Sequence, residues 1–191
     1  PDITPSVARA AATLFESEDM PIRLCYAGNT FINHSSYQGR LKENTQLGAE
    51  LIGLDSVEAD AEMLAMVADS LKQVGLEEFQ VSLGHVDFIR SLLKAAGLEE
   101  DENREIRTLI TNRNFFGVED ILDAHQVKES IREAFRLLPE LTGGPEVLEL
   151  AMGAAPDLDA RLAVTRLQQI FRLLKLYGAD RYVSFDLGML S

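Results

Sequence analysis

The stretch Arg23–Gly53, RLCYAGNTFINHSSYQGRLKENTQLGAELIG, reads as two apolar strands joined by a polar loop. Alternate residues of a strand share a face. In NTQLGAELIG this sets Gln46, Gly48 and Glu50 on one side and Leu47, Ala49 and Leu51 on the other. The Leu/Ala/Leu side is expected to face a core. The other side carries an amide, a gap and a carboxylate in line. A glycine inside a strand weakens it and often marks the close approach of a ligand or of another backbone. That face is therefore a candidate surface for a small polar molecule. The competing reading is that Gln46 and Glu50 simply face water on an antiparallel sheet.

Working outward, the connector Asn33–Arg40 contains Ser35, Ser36 and Gly39 and reads as a hairpin loop, with Arg40 and Lys42 at its far side. Upstream, Thr4 is a candidate N-cap and Pro5 suits the first helical position. A short helix follows through Val7, Ala8, Ala11, Ala12 and Phe15, ended by the acidic run Glu16–Asp19 and by Pro21. Downstream, Asp55 or Ser56 caps a helix with the stripe Val57, Ala61, Leu64, Ala65, Ala68, Leu71, closed by Gly75. FQVSLGHV is a short strand, and a helix through Phe88, Ile89, Leu92, Leu93 and Ala96 ends at Gly97.

From Leu98 the texture changes. Helices are predicted at 103–111, 118–124 and 127–137, with no convincing strand before Leu150, and Thr142-Gly143-Gly144-Pro145 is a break. A long helix then spans about 156–177, acidic at its start and basic near its end as the helix dipole favours. RYVSFDLGML closes the chain as a strand. The expectation is an α+β domain with a mostly antiparallel sheet. Its division is 1–97 as core, 98–150 as a helical insertion and 151–191 as a return to the core.

Length and composition narrow the function. With 191 residues the chain makes one domain, or one domain plus a small insert, and buries a core without staples. The 31 acidic and 18 basic residues give a formal net charge of −13, which repels phosphate backbones over most of the surface. No run of Lys or Arg offsets it, so nucleic-acid binding is disfavoured. The single cysteine, Cys25, cannot form an internal disulfide and is expected to be a buried hydrophobe in its strand. No apolar run approaches the ~20 residues of a membrane span, and no signal peptide opens the chain. Cytoplasmic residence is the expectation. The chain starts at Pro1 without lead-in and stops at Ser191 beside a strand-like run, so truncation at both ends is expected.

Three histidines, His34, His85 and His125, are far apart and show no metal-type spacing. There is no G-x-S-x-G, Walker loop or G-x-G-x-x-G. Neither a metal nor a cofactor is called for. The acids that fall on strands or their ends are Asp2, Glu50 and Asp186. Together they would suit a cation such as an amino group or an imidazolium. Otherwise each pairs locally with Arg23, Arg40 or Arg181.

Several of these pieces carry a resemblance. PDITPSVAR, then RLCYAGNTF…GR…QLGAELIG, then ADAEMLAMVADSLKQVGL resemble, in order, successive segments of the class II aminoacyl-tRNA synthetase catalytic domain, of the histidyl type. RYVSFDLGML resembles the lead-in to the histidine-specific motif. The resemblance implies a class II synthetase-like antiparallel sheet flanked by helices. It also implies that Asp2, Thr4 and Gln46 hold an α-amino group, that Glu50 reads an imidazole, and that Arg40 is a basic residue of the second-motif loop.

One departure is decisive for chemistry. Where the synthetases place F-R-x-E to grip ATP, this chain reads Phe31-Ile32-Asn33-His34. Losing one buried charge contact to a phosphate costs ~2–5 kcal/mol. A chain that keeps the histidine pocket and loses the ATP grip resembles the regulatory subunit of ATP phosphoribosyltransferase, a synthetase paralogue. The wording LGAELIG, LGHV and SFDLGM is similar to that paralogue. It implies a non-catalytic role in the first step of histidine biosynthesis and in feedback inhibition by histidine. The implied partners are the short-form catalytic subunit, a second copy in a dimer, and histidine as ligand, with no tRNA and no membrane. The alternative is a catalytic-domain fragment of a histidyl-tRNA synthetase.

Overall fold

The computed structural model describes residues 2–32 and 41–189. The first compact unit runs to Ala59 and the second from Asp60, so the division falls in the first turn of a continuous helix.

In the first unit, α1 (Thr4–Thr13) starts on Ile3, with Pro5 in its first turn. The predicted cap, Thr4, makes no capping bond, because its hydroxyl is used elsewhere. β1 (Ile22–Phe31) and β2 (Glu43–Ile52) form an antiparallel pair in continuous register from Ile22 opposite Ile52 to Phe31 opposite Glu43. Tyr26 faces Gly48, Leu24 faces Glu50 and Gly28 faces Gln46.

The expected burial of this hairpin is reversed. Leu47 is 78% exposed, and Cys25 lies on the same open face rather than in a core. The better-covered face is the one with Gln46, Gly48 and Glu50. Its apolar material comes from β1 and from α1. Ile22, Leu24 and Tyr26 alternate onto it, and the Ile3 side chain crosses Gly28 closely enough that a Cβ there would lie 3.0 Å from Ile3 Cδ1. Alternation within β2 alone carried no trace of that cover.

α2 (Val57–Gln73) begins at the end of the first unit, from a cap in which the Ser56 hydroxyl accepts from the Ala59 N–H, and most of its length belongs to the second. Then come β3 (Val81–Leu83), α3 (Val86–Ala96), α4 (Glu100–Thr111), α5 (Phe115–Ala124) and α6 (Glu129–Leu137). The chain continues with β4 (Thr142–Gly143), α7 (Val147–Ala154), α8 (Leu158–Tyr177) and β5 (Val183–Asp186). Gly97 and Gly178 end α3 and α8 in the left-handed conformation, φ 68° and 66°, and their N–H groups close the last turns.

The small sheet here has the order β3-β5-β4. β3 and β5 are parallel and β4 and β5 antiparallel, so this small sheet is mixed; with the β1–β2 pair, two of the three strand pairings among the described residues are antiparallel, in keeping with the mostly antiparallel expectation. β4 is a two-residue strand inside the segment read as strand-free. It is long enough only to pair Thr142 with Asp186 and Gly143 with Phe185, which leaves no periodicity to detect. α3 packs on α8 and α6, and α4, α5 and α6 pack in succession. Phe88, Phe135, Phe185, Ile89, Leu92, Ile106, Leu122 and Leu174 are essentially inaccessible. Phe171 meets Phe185 edge-on with centroids 5.7 Å apart. Among the described residues no helix is long and apolar enough to cross a membrane.

Candidate functional site

β2 carries the candidate residues at intervals of two, so they rise from one face of the ribbon. Near its end, the Thr4 hydroxyl donates to Glu50 Oε1 at 2.7 Å. The Tyr26 hydroxyl lies 3.5 Å from the same threonine oxygen. The first turn of α1 is thus pinned to the centre of the sheet face. Glu50, Thr4, Ala8, Ala11, Ala12, Met20 and Ile52 line a cavity of about 350 Å³, apolar except for the threonine and the carboxylate. An ionised carboxylate has about four acceptor positions, and Thr4 uses one. The remainder can accept from a cationic or N–H-bearing ligand.

Tyr26 is the residue that sequence reasoning missed. Its ring lies over Gly48, where a Cβ would fall inside it. The gap in Gln-Gly-Glu is therefore filled by this chain's own tyrosine, which also extends its hydroxyl toward Thr4. The available signal was the hairpin register, which pairs Tyr26 with Gly48.

Gln46 shares the face but lies beyond Tyr26, ~13 Å along the strand from Glu50, and does not line the Glu50 cavity. Its Oε1 is buried and has no hydrogen-bond partner among the described residues. A buried acceptor left unsatisfied costs ~1–3 kcal/mol, so a donor placed there, such as an ammonium, is favoured. Asp2 is exposed and lies outside the cavity. Arg40 and His34 lie outside the described residues. Ile32 is 41% exposed and offers no donor.

The third strand acid belongs to the second unit and has another role. Asp186 is 6% exposed, and one oxygen accepts from the Arg113 guanidinium. The other accepts from the Gly188 N–H at 3.0 Å. None of the arginines near in sequence supplies its partner. Arg113 comes from the α4–α5 turn, at φ 58° in the left-handed region. Arg181 instead lies over the Tyr182 ring, 4.6 Å from its centroid. Tyr182 stacks on Phe79 with centroids 4.4 Å apart and planes 5° from parallel. His85 caps α3, accepting from the Asp87 N–H at 3.3 Å. Among the described residues no group of three or more His, Cys, Asp or Glu is placed to hold a metal.

A hairpin with polar residues on its helix-covered face, together with a mixed sheet and a helical body, defines an α+β protein of the class II aminoacyl-tRNA synthetase-like type. Within it, a family model described as Histidyl-tRNA synthetase matches residues 1–191, and the chain belongs to that family. A Geobacter metallireducens protein named ATP phosphoribosyltransferase regulatory subunit is 41% identical over 187 residues, covering 98% of this chain and 43% of its own length. One of the same name from Acetivibrio thermocellus is 36% identical over 189 residues, 99% of this chain and 45% of its own. A crystal structure from Bacillus halodurans, described as an ATP phosphoribosyltransferase regulatory subunit/histidyl-tRNA synthetase, superposes with a TM-score of 0.89 at 30% identity. It covers 99% of this chain and 49% of that one. The chain spans about half the length of the curated relatives it matches.

Proposed function

We propose that this chain is part of a regulatory subunit of ATP phosphoribosyltransferase and is not itself a catalyst. The observation that carries this reading is the 36–41% identity, over nearly the whole chain, to proteins of that name. Ile32 and His34, where an ATP-activating synthetase needs an arginine and a glutamate, point the same way. In a reaction that works mainly by holding phosphate charge, their loss lowers activity by orders of magnitude.

The partner in this reading is the short-form catalytic subunit, in a cytoplasmic hetero-oligomer that also contains a dimer of this subunit and needs neither tRNA nor a cofactor. The ligand is histidine. Glu50 and Thr4 receive one end of it, and Gln46, with its free buried oxygen, and Asp2 and Arg40 serve the other. Histidine acts by binding one state of the complex in preference to another, so the effect equals its difference in affinity for the two. Residues 1–97 and 151–191 form the synthetase-like core in this reading, and 98–150 an insertion.

The test is reconstitution. The full-length protein is mixed with the short-form phosphoribosyltransferase, and turnover is measured with and without histidine. Co-purification, raised turnover and histidine-sensitive inhibition are expected. No change in either activity or histidine sensitivity overturns the reading. The family model's own description favours a second reading, a synthetase catalytic fragment. Histidine-dependent ATP–pyrophosphate exchange by the full-length protein would establish it.

A further inference from the structure

On a chain of net charge −13, arginines gathered at one place call for a reason. Between α3 and α4 lies a cleft of about 600 Å³ lined by Arg90, Arg104 and Arg107, with no Asp or Glu in its walls. Small-molecule sites are typically ~300–1,000 Å³. Each guanidinium meets a carboxylate from its own helix. Arg90 pairs with Asp87, Arg104 with Asp101 at 3.9 Å and Arg107 with Glu100 at 2.9 Å.

All three contacts go through Nη1. Nε and Nη2 of each arginine, the other edge of the fork, have no acceptor among the described residues. That edge presents two parallel N–H donors, a pair that can bind a phosphate in a bidentate manner. The carboxylates therefore hold the arginines from behind without using their recognition edge.

The rest of the wall narrows the ligand. The Thr108 and Thr111 hydroxyls donate to the carbonyls of Arg104 and Arg107, so donors for a ligand come from the arginines and Asn112. Ile89 and Leu93 are buried beneath, and Val86, 48% exposed, is the apolar side chain that the cleft presents to a ligand. Purely inorganic anions have no use for it. The first turn of α3 and the last turn of α4 both border the cleft, and their opposite end charges offset. The charges that remain at the cleft are the three guanidinium groups in its wall and the three carboxylates that pair with them from outside it.

We propose that this cleft binds a small organic molecule carrying two or more phosphate groups. Its size and the acidity of the surrounding surface favour such a ligand over a nucleic acid. Its occupancy is independent of what binds at Glu50.

Isothermal titration calorimetry on the full-length protein tests it, with ATP and inorganic tripolyphosphate as probes. Single-site binding of both is expected, with ATP tighter. Each of Arg90→Gln, Arg104→Gln and Arg107→Gln weakens it roughly tenfold, as expected for one charge-assisted contact. Asp101→Asn removes a competitor for Arg104 and tightens binding, an opposite-signed result that a folding defect cannot imitate. Absence of binding at about 5 mM probe, the range of very weak affinity, overturns the proposal. So does binding that survives the triple arginine variant, or equal affinity for an RNA hairpin that depends on the same arginines.

Discussion

The β1–β2 hairpin unit and the helical body that follows are held together in different ways. Among the described residues of the first unit, only Ala11 and Ala59 are buried hydrophobics. In the second, Phe88, Phe135 and Phe185 and a dozen aliphatic side chains are close to inaccessible. The hairpin has a long ladder of backbone hydrogen bonds and thin cover. The body has short strands and dense packing. On the proposed reading the polar face of the hairpin receives a ligand and must stay reachable, while hydrophobic burial, the dominant stabilising term, is concentrated in the body.

If this division is right, the largest loss of stability comes from the body. Phe88→Ala removes a ring with no solvent exposure and leaves a cavity, which costs ~3–5 kcal/mol. Urea unfolding followed by circular dichroism measures it, and a loss under ~1 kcal/mol would show that the body is not close-packed.

Asp186→Asn comes next. It leaves the Arg113 guanidinium with a weaker partner and disturbs the acceptor for the Gly188 N–H, at a cost of ~1–3 kcal/mol. The same titration reads it. Arg113 is half exposed and can turn to water, so Arg113→Ala should cost more than Asp186→Asn only if the buried carboxylate finds no other donor.

Smaller still is the cap of α8. The Asp157 carboxylate accepts from the Ala160 N–H at 2.9 Å, and removing such a cap costs about 1 kcal/mol. That backbone bond, with Ser91, the Lys94 charge and the Asp159 N–H, holds the Asp157 carboxyl below the usual carboxylate range. A carboxyl whose folded pKa lies below its unfolded value stabilises the fold at pH above the unfolded value. The contribution falls away as pH drops through the lower, folded one. Wild type and Asp157→Ala should therefore differ in unfolding midpoint at neutral pH and converge in acid. A gap that stays constant down to the acid end would mean that the cap is not electrostatic.

The body was legible because its signals are local. Gly97 and Gly178 end helices where glycine is the residue that tolerates φ near 66° to 68°, and the stripes of α2, α3 and α8 repeat for several turns. The Gln46/Gly48/Glu50 face was legible for the same reason. What lay across from it was not. Tyr26 over Gly48, Ile3 over Gly28 and Arg113 on Asp186 join residues 22 to 73 positions apart, and no periodicity reports a contact between strangers in sequence. Leu47 misled because alternation says which residues share a face and not which face is covered.

The smallest expected change in stability is also the one that bears most on function. Glu50→Ala removes a carboxylate that accepts one hydrogen bond from an exposed threonine and lines a cavity of the thinly covered unit. Its loss should leave the unfolding midpoint of the body unchanged within ~0.5 kcal/mol, the ordinary range for a surface substitution. Histidine sensitivity of the reconstituted enzyme should disappear with it, because the Glu50 carboxylate is the charged acceptor in that cavity. Gly48→Val sharpens the point from the other side. It keeps the carboxylate but drives a Cβ into the Tyr26 ring, so the ring must leave and the Thr4–Tyr26–Glu50 cluster opens. Both variants should lose the histidine response, Glu50→Ala through chemistry and Gly48→Val through shape. A Glu50→Ala protein that responds normally while Gly48→Val does not would move the recognition site from the Glu50 cavity toward Gln46. If Glu50→Ala instead lowers the body's stability, the carboxylate is structural, and the separation of site from scaffold fails.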